Sequence, residues 1–114
     1  MKETVTDMDK SQMMKGILEG CILKIIDKSE TYGYEIVEQL QRYGFVDVKE
    51  GTLYPLLLRL EKKGLIVATF KPSPLGPRRK YYNLTEAGQE YIIRFYEVWN
   101  EVRQTVEGIF CKED

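Results

Sequence analysis

The segment Val48–Gly64, which reads VKEGTLYPLLLRLEKKG, decides the fold of this chain. Four of its leucines recur at helical spacing, so it predicts a helix with one buried face. A proline is tolerated where its missing N–H has no partner, which places Pro55 in the first turn and the helix start near Gly51 or Thr52. Gly64 is placed to end the helix. The leucines of the buried face are Leu53, Leu56, Leu57 and Leu60.

The opposite face of this helix is polar and basic. A hydroxyl-bearing N-terminal end and a basic flank suit a DNA major groove, where the end meets base edges and the flank meets phosphates. Taken alone, the segment fits equally an amphipathic core helix with a solvated face. The residues of the exposed face are Thr52, Tyr54, Pro55, Arg59, Lys62 and Lys63.

Length and composition predict one globular domain of ordinary composition. The chain contains no histidine, and Cys21 and Cys111 lie far apart, so neither a zinc site nor a disulfide framework is expected. Without histidine the commonest acid–base catalyst is missing, and we expect no enzyme and no cofactor. No apolar run is long enough to span a membrane, and the polar N-terminus MKETVTDMDK does not resemble a signal peptide. We therefore expect a cytoplasmic protein.

The positive charge of the chain is concentrated in residues 49–80. Eight lysines and arginines against two glutamates give this stretch a charge of +6. Because the net charge of the chain is −1, the remaining residues together carry −7. A basic middle between acidic flanks is typical of a DNA-facing surface on an otherwise repelled body. A solvated run of charges is the alternative, and it explains the uneven distribution less well.

Two helices are predicted before the segment Val48–Gly64. A wide apolar stripe from about Lys10 to Lys28 predicts a long first helix, preceded by a flexible tail at residues 1–9. The second helix covers roughly residues 34–43 and leads through a short connection into the third, which is helix-turn-helix order. The connection includes Val46–Val48, a candidate for a short extended pairing. Gly16 and Gly20 lie four residues apart in the first helix, where a close approach by another element would explain them.

After Gly64 the pattern changes to that of a β-hairpin. Leu65–Phe70 and Lys80–Leu84 are strand candidates, and the proline-rich KPSPLGPRR between them predicts a stiffened turn. Basic residues leave this turn together, ready for phosphates or the minor groove. Of Tyr81 and Tyr82, at least one is expected to pack on the core. Residues 10–84 are thus expected to form a winged helix-turn-helix, in a fold that is mainly α with a small β wing.

Residues 85–114 are predicted to form a long C-terminal dimerisation helix. Thr85 is a good N-cap. At 1.5 Å per residue the helix would reach roughly 35 Å, farther than a small winged helix can cover. Its aromatic face therefore needs a partner, most simply a second copy packed about a two-fold axis. The residues predicted for this interface are Ile92, Phe95, Trp99, Val102, Val106, Ile109 and Phe110.

Three motifs, taken together and in order, resemble the PadR family of bacterial transcriptional regulators: Tyr32–Ile36 (YGYEI), Glu50–Ile66 and Arg78–Gly88. The chain looks like the compact branch with a short C-terminal helix, similar to multidrug-sensing and phenolic-acid-responsive repressors. The resemblance implies a homodimer that binds a palindromic operator in double-stranded DNA and represses an adjacent transporter or detoxification operon. The DNA-binding residues that it implies are Tyr34, Lys49, Gly51, Thr52, Tyr54, Pro55, Arg59, Lys62, Arg78, Arg79 and Lys80.

The same resemblance implies an aromatic effector at the dimer interface. Trp99, the only tryptophan, falls where compact relatives carry one on the last helix, and two such rings could sandwich a flat molecule. Trp99 as plain interface filling is the alternative. Arg103 beside the ring favours an anionic ligand, unless it simply pairs with Glu107 one turn on. The predicted ligand residues are Met13, Ile17, Gly20, Tyr96, Trp99, Val102 and Arg103.

Two other functions compete with a ligand-responsive repressor. A winged helix can act as a protein-interaction module, but the exposed flank here is basic and poor in apolar anchors. A redox sensor through Cys111 has only a lone terminal cysteine behind it.

Overall fold

The computed structural model describes residues 13, 14 and 16–111 of the chain. The predicted tail at residues 1–9 and the predicted helix start at Lys10 lie outside the described residues. As predicted, the fold is mainly helical with a small antiparallel sheet. The elements are α1 (Ile17–Lys28), β1 (Thr31–Tyr32), α2 (Gly33–Tyr43), α3 (Glu50–Lys62), β2 (Ile66–Ser73), β3 (Gly76–Leu84) and α4 (Glu86–Cys111).

The prediction of one continuous first helix up to Lys28 is wrong at Gly16. This residue has a φ of 85°, in the left-handed region, so the backbone turns there and α1 begins at the next residue. Gly20, by contrast, is helical and marks a close approach. A Cβ atom on Gly20 would lie 2.5 Å from the ring of Phe95 in α4. The two glycines therefore serve different purposes.

The sheet has the strand order β1–β3–β2. The sequence predicts the two wing strands β2 and β3 but not β1. Thr31 pairs with Tyr82 and Tyr32 with Tyr81, both antiparallel. The expected extended pairing at Val46–Val48 is wrong. These residues fold back in a turn, because Gly44 closes α2 with a φ of 126° and the N–H of Val48 donates to the carbonyl of Phe45.

The wing is longer than predicted. Strands β2 and β3 continue to the pair Ser73–Gly76, which leaves only Pro74 and Leu75 in the turn. The pairing is irregular between Lys71 and Ser73, on either side of Pro72. Since β2 is an edge strand, a proline there removes no bond from a further neighbour.

The core lies between α1, α2, α3 and the base of the wing. Tyr82 is 2% exposed, which confirms that one of the two adjacent wing tyrosines packs on the core. Burial raises the pKa of its hydroxyl to about 12. The largest fully buried side chains belong to Ile22, Leu23, Ile36, Leu40, Leu53, Leu57, Leu60, Ile66 and Thr31.

One residue ties the end of α3 to the start of α4. The hydroxyl of Thr85 accepts a hydrogen bond from the N–H of Gly88 at 3.0 Å, which confirms the predicted N-cap. The same hydroxyl donates to the carbonyl of Gly64 at 2.7 Å, directly after α3. Gly88 itself lies so close to Leu65 that an added Cβ atom would overlap the Leu65 carbonyl oxygen. The first turn of α4 is thus fixed against the segment that follows α3.

Helix α4 has 26 residues, a length of about 39 Å. Its N-terminal half packs on α1 through the contact between Gly20 and Phe95. Beyond that contact its apolar side chains are exposed apart from Trp99, which is half-buried, and the described part of the chain measures 59 × 39 × 24 Å.

Candidate nucleic-acid interface

The exposed face of α3 carries the residues predicted to meet DNA. Gly51, Thr52, Tyr54 and Pro55 are all exposed in the first half of the helix. Lys49 is its N-cap residue, with an extended backbone. Leucines on the opposite side anchor the helix in the core, so this polar face is held outward.

The placement of Pro55 in the first turn is wrong. Because α3 begins at Glu50, Pro55 is its sixth residue and lacks the N–H that would bond to the carbonyl of Gly51. The residue four positions before the proline is a glycine, and a Cβ atom there would meet nothing within 4 Å. The helix accommodates the proline on its exposed side, where both Pro55 and Gly51 are exposed.

A cleft of about 500 Å³ separates α3 from the wing and the start of α2. Tyr54 forms one wall and packs against Gly33, whose Cβ atom, if present, would lie 2.8 Å from the Tyr54 hydroxyl. Burial raises the pKa of that hydroxyl above its ordinary value of 10, and Glu50 adds to the shift. Tyr54 therefore offers a neutral hydroxyl group. The lining residues are Tyr32, Gly33, Tyr34, Tyr54, Leu58, Arg78, Arg79, Lys80 and Tyr82.

The basic residues of the wing rest on aromatic rings and on a carboxylate. The guanidinium of Arg79 lies 4.4 Å from the ring centroid of Tyr32, and that of Arg78 lies 5.9 Å from the ring centroid of Phe70. Lys80 donates to Glu61 of α3 at 2.9 Å. Aromatic support restricts a guanidinium while leaving its N–H groups for a phosphate. Two of the three predicted wing cations are thus held without a salt bridge among the described residues.

On the other flank of α3, two cations share one carboxylate. Arg59 and Lys63 both lie at ion-pair distance from Glu19 of α1. Within residues 16–111, no ion pair involves Lys49 or Lys62, and both are exposed. The predicted DNA cations therefore fall into two groups, one already paired inside the protein and one free for phosphates.

The cleft brings together five of the eleven predicted DNA residues, and the other six lie elsewhere along α3 and its N-cap. The contacts of all eleven with DNA stay a prediction. The five in the cleft are Tyr34, Tyr54, Arg78, Arg79 and Lys80. Sequence reasoning missed Leu58, which is 54% exposed within the cleft, four residues after Tyr54. It also missed Tyr32, the ring beneath Arg79, and Glu19. The helical period beyond Tyr54 would have found Leu58; the other two depend on contacts between distant segments.

A second, larger groove of about 910 Å³ runs between α1 and α4. Five of the seven predicted ligand residues line it: Met13, Ile17, Gly20, Tyr96 and Trp99. Phe45, Ile92 and Phe95 add further apolar surface, with Lys24 and Glu97 at its charged positions.

Val102 and Arg103 do not line this groove. Val102 lies one turn farther along α4 and is half exposed. Arg103 donates to Glu107 at 3.1 Å and to Asn100 at 3.3 Å, so the local ion pair is present in this structure. The preference for an anionic ligand consequently loses the residue on which it was based.

The predicted dimer residues fall into two sets along α4. Ile92 packs partly on the core, and Phe95 packs on Gly20. The distal set is uncovered and reaches 83% exposure at Phe110. Together with Trp99 it forms what we call the α4 ridge: Trp99, Val102, Val106, Ile109 and Phe110.

A helix-turn-helix followed by a β-hairpin with a basic cleft between them defines a winged helix-turn-helix protein. Residues 22–94 match the model of the Transcriptional regulator PadR-like family. The chain belongs to this family and is a DNA-binding transcriptional regulator.

Two solved structures and one further relative agree with this assignment. A PadR-like transcriptional regulator from Bacillus cereus is 50% identical, with a TM-score of 0.81 over 90% of this chain and 99% of that one. A Streptococcus transcriptional regulator is 47% identical, with a TM-score of 0.78 over 86% and 96% of the two chains. A transcriptional regulator of Mycobacterium tuberculosis is 34% identical over 70% of this chain and 73% of its own length.

Two further features are absent from the described part of the chain. No helix there is long and apolar enough to cross a membrane. No group of three or more metal-binding side chains comes together there either.

Proposed function

We propose that this chain is a homodimeric repressor of an adjacent transporter or detoxification operon, released from a palindromic operator by a planar aromatic ligand. The observation that carries the proposal is the uncovered α4 ridge, which continues directly from the groove between α1 and α4. A second copy packed on the ridge would bury it and close the groove.

The dimer would present two winged helix-turn-helix units, which we call its reading heads, to one duplex. Each α3 would enter a major groove, with half-sites about one helical turn (~10 bp) or a multiple of it apart. Arg78 and Arg79 of each wing would meet the flanking backbone. Their stacking on Phe70 and Tyr32 limits the side-chain freedom that is lost on binding.

The ligand would act through the spacing of the heads. It lies between α1 and α4 in this proposal, and α4 is tied to the end of α3 by the Thr85 hydroxyl. A change in the angle between the two α4 helices therefore moves the two α3 helices. The ligand releases DNA only if it binds the free dimer more tightly than the DNA-bound one.

DNA binding is tested by fluorescence anisotropy with the duplex upstream of the gene and a scrambled duplex of equal composition. The double variant Arg78→Gln/Arg79→Gln should weaken both complexes and reduce the slope of log K against log salt by about 0.9 for each lost contact. Arg94→Gln, an exposed charge on α4, is the matched control and should leave the slope unchanged. Equal affinity for the two duplexes in the wild type would contradict a specific operator.

The dimer is tested by sedimentation equilibrium. Val102→Asp places a charge on the α4 ridge and should shift the chain to monomer. Gln104→Asp adds the same charge on the other side of the helix and should not. A dimer unaffected by Val102→Asp would show that the ridge is not the interface.

The ligand is tested with Trp99 as the only tryptophan reporter. Titration with planar aromatic cations and anions should quench its fluorescence, and the same compounds should release the operator duplex. Quenching without release would leave a binding site but refute its regulatory role, and no quenching by either charge class would leave Trp99 as interface filling.

A further inference from the structure

Glu19 of α1 is a carboxylate inside the protein, with a relative exposure of 7%. Arg59 Nε lies 3.3 Å from its Oε2 atom and Lys63 Nζ lies 3.7 Å from its Oε1 atom. The Arg59 contact has an ion-pair distance without hydrogen-bond geometry, and Oε2 has no hydrogen-bond partner among the described residues. A buried charge of this kind is tolerated because opposite charges compensate it.

One compensating cation, Arg59, lies on α3, and the other, Lys63, is the residue that directly follows it. The Arg59 side chain is 63% exposed and that of Lys63 is 41% exposed, so solvent and phosphates reach them. Glu19 approaches Arg59 through Nε, and guanidinium carries further N–H donors on its two terminal nitrogens. Arg59 is thus oriented from within while its outer edge stays open.

Glu19 and a DNA phosphate therefore compete for the same two cations. Non-specific binding to DNA is essentially electrostatic. A carboxylate beside α3, the reading helix of the proposed complex, therefore weakens non-specific binding directly. In a specific complex, phosphate contacts fix the register of the reading helix, and an arginine held in one orientation loses less freedom on making such a contact. The same carboxylate consequently opposes non-specific binding more than specific binding.

We infer that Glu19 is a positioning residue that sets the specificity of DNA binding, by neutralising and orienting the flank of α3 formed by Arg59 and Lys63. This inference rests on the proposed placement of α3 against DNA. It assigns to α1 a part in recognition, although α1 itself need not touch the duplex.

The test compares Glu19→Gln with Asp27→Asn, which removes the same charge from the same helix at a local pair with Lys24. Anisotropy is measured for the upstream and scrambled duplexes between about 50 and 200 mM salt. In Glu19→Gln the slope for the scrambled duplex should steepen by about 0.9, since one cation is unmasked. The scrambled duplex should gain more affinity than the upstream duplex, so the specificity ratio falls, whereas Asp27→Asn should change neither quantity.

Arg59→Lys separates orientation from charge and leaves the buried carboxylate compensated. It should lower the specificity ratio with no change of slope. In the double variant Arg59→Gln/Glu19→Gln the effect of the glutamate substitution on the slope should shrink. Urea unfolding of each variant confirms that binding is measured well within the folded range.

An unchanged slope and ratio in Glu19→Gln, or an unchanged ratio in Arg59→Lys, would overturn the inference. Failure of the underlying proposal looks different: substitutions of Arg59 and of the wing arginines Arg78 and Arg79 would then leave the wild-type affinity unaltered. A purely structural role for Glu19 would lower the unfolding midpoint without moving the salt slope, and would also refute it.

Discussion

Gly88→Ala should destabilise the protein although alanine is the better helix former. Gly88 is the third residue of α4, and its Cα lies against the backbone carbonyl of Leu65. The added Cβ atom would overlap that oxygen, and a backbone group cannot swing aside as a side-chain end can. Either α4 or the start of β2 has to shift, and the cap formed by Thr85 is strained with it.

A first-turn glycine elsewhere in the chain supplies the control. Gly51 is the second residue of α3, and a Cβ atom there meets nothing within 4 Å. Both substitutions gain helix propensity, at most about 1 kcal/mol. Only Gly88→Ala adds overpacking, which amounts to about 1–3 kcal/mol. The difference between the two variants therefore isolates the contact with Leu65.

The free energy of unfolding is measured in urea at one fixed protein concentration, because the dimer that we propose would make stability depend on concentration. Gly51→Ala should match or exceed the wild type. Gly88→Ala should unfold at a lower midpoint, by on the order of 1 M urea, with an unchanged slope. Equal midpoints for the two variants would refute the claim that the first turn of α4 is fixed against the backbone of Leu65, which follows α3.

Three other predictions concern stability. Thr85→Ala should lower the free energy of unfolding by about 1 kcal/mol, and Thr85→Ser should retain it, since serine keeps the capping hydroxyl. Hydrogen bonds from Lys71 and Asn83 hold the pKa of Glu30 below 4.5. The stability that Glu30 contributes is therefore present above pH 4.5 and is lost as pH falls through the lowered pKa. Glu30→Gln should remove this part of the acid-side decrease in the free energy of unfolding, as measured in unfolding titrations at several pH values. Burial raises the pKa of Tyr82 from 10 to about 12, so stability present below pH 10 is lost as pH rises toward 12. Tyr82→Phe should reduce the loss of stability between pH 10 and 12, as followed by circular dichroism, and the part that remains includes the contribution of Tyr54, whose pKa is also raised.

The elements with a strong local period could be predicted from the sequence, and those formed by distant pairing could not. The leucines of α3 and the cap at Thr85 are local signals; the structure confirms the cap and buries three of the four leucines, while Leu56 is only partly buried. Strand β1 has only two residues, and its partners in β3 lie about fifty positions later, so nothing near Thr31 reveals it. The sequence predicts Gly16 inside a continuous helix because the apolar stripe around it is helical, and this local pattern does not reveal the left-handed backbone at Gly16.

The candidate site divides in the same way. Exposed positions on α3 follow from its period, whereas the partners that orient them come from α1 and the wing. The sequence does contain a signal for Glu19. It lies four positions before Leu23 and seven before Ile26, so the helical period places it on the apolar stripe of α1. A charged residue on a buried stripe needs a partner, and only the tertiary structure shows that the partner is the reading helix.

The contacts around α3 bear on where regulation can arise. Glu19 ties one flank of α3 to α1, the Glu61–Lys80 pair ties the other flank to the wing, and Thr85 ties its end to α4. A reading helix held on three sides is not easily reshaped by a ligand in the groove between α1 and α4. The ligand we propose would instead change the placement of one entire head relative to the other, because α1 and α4 move with the helix that they hold. Release from DNA by such a ligand should therefore depend on the spacing between half-sites, and a single half-site duplex should bind equally well with and without it.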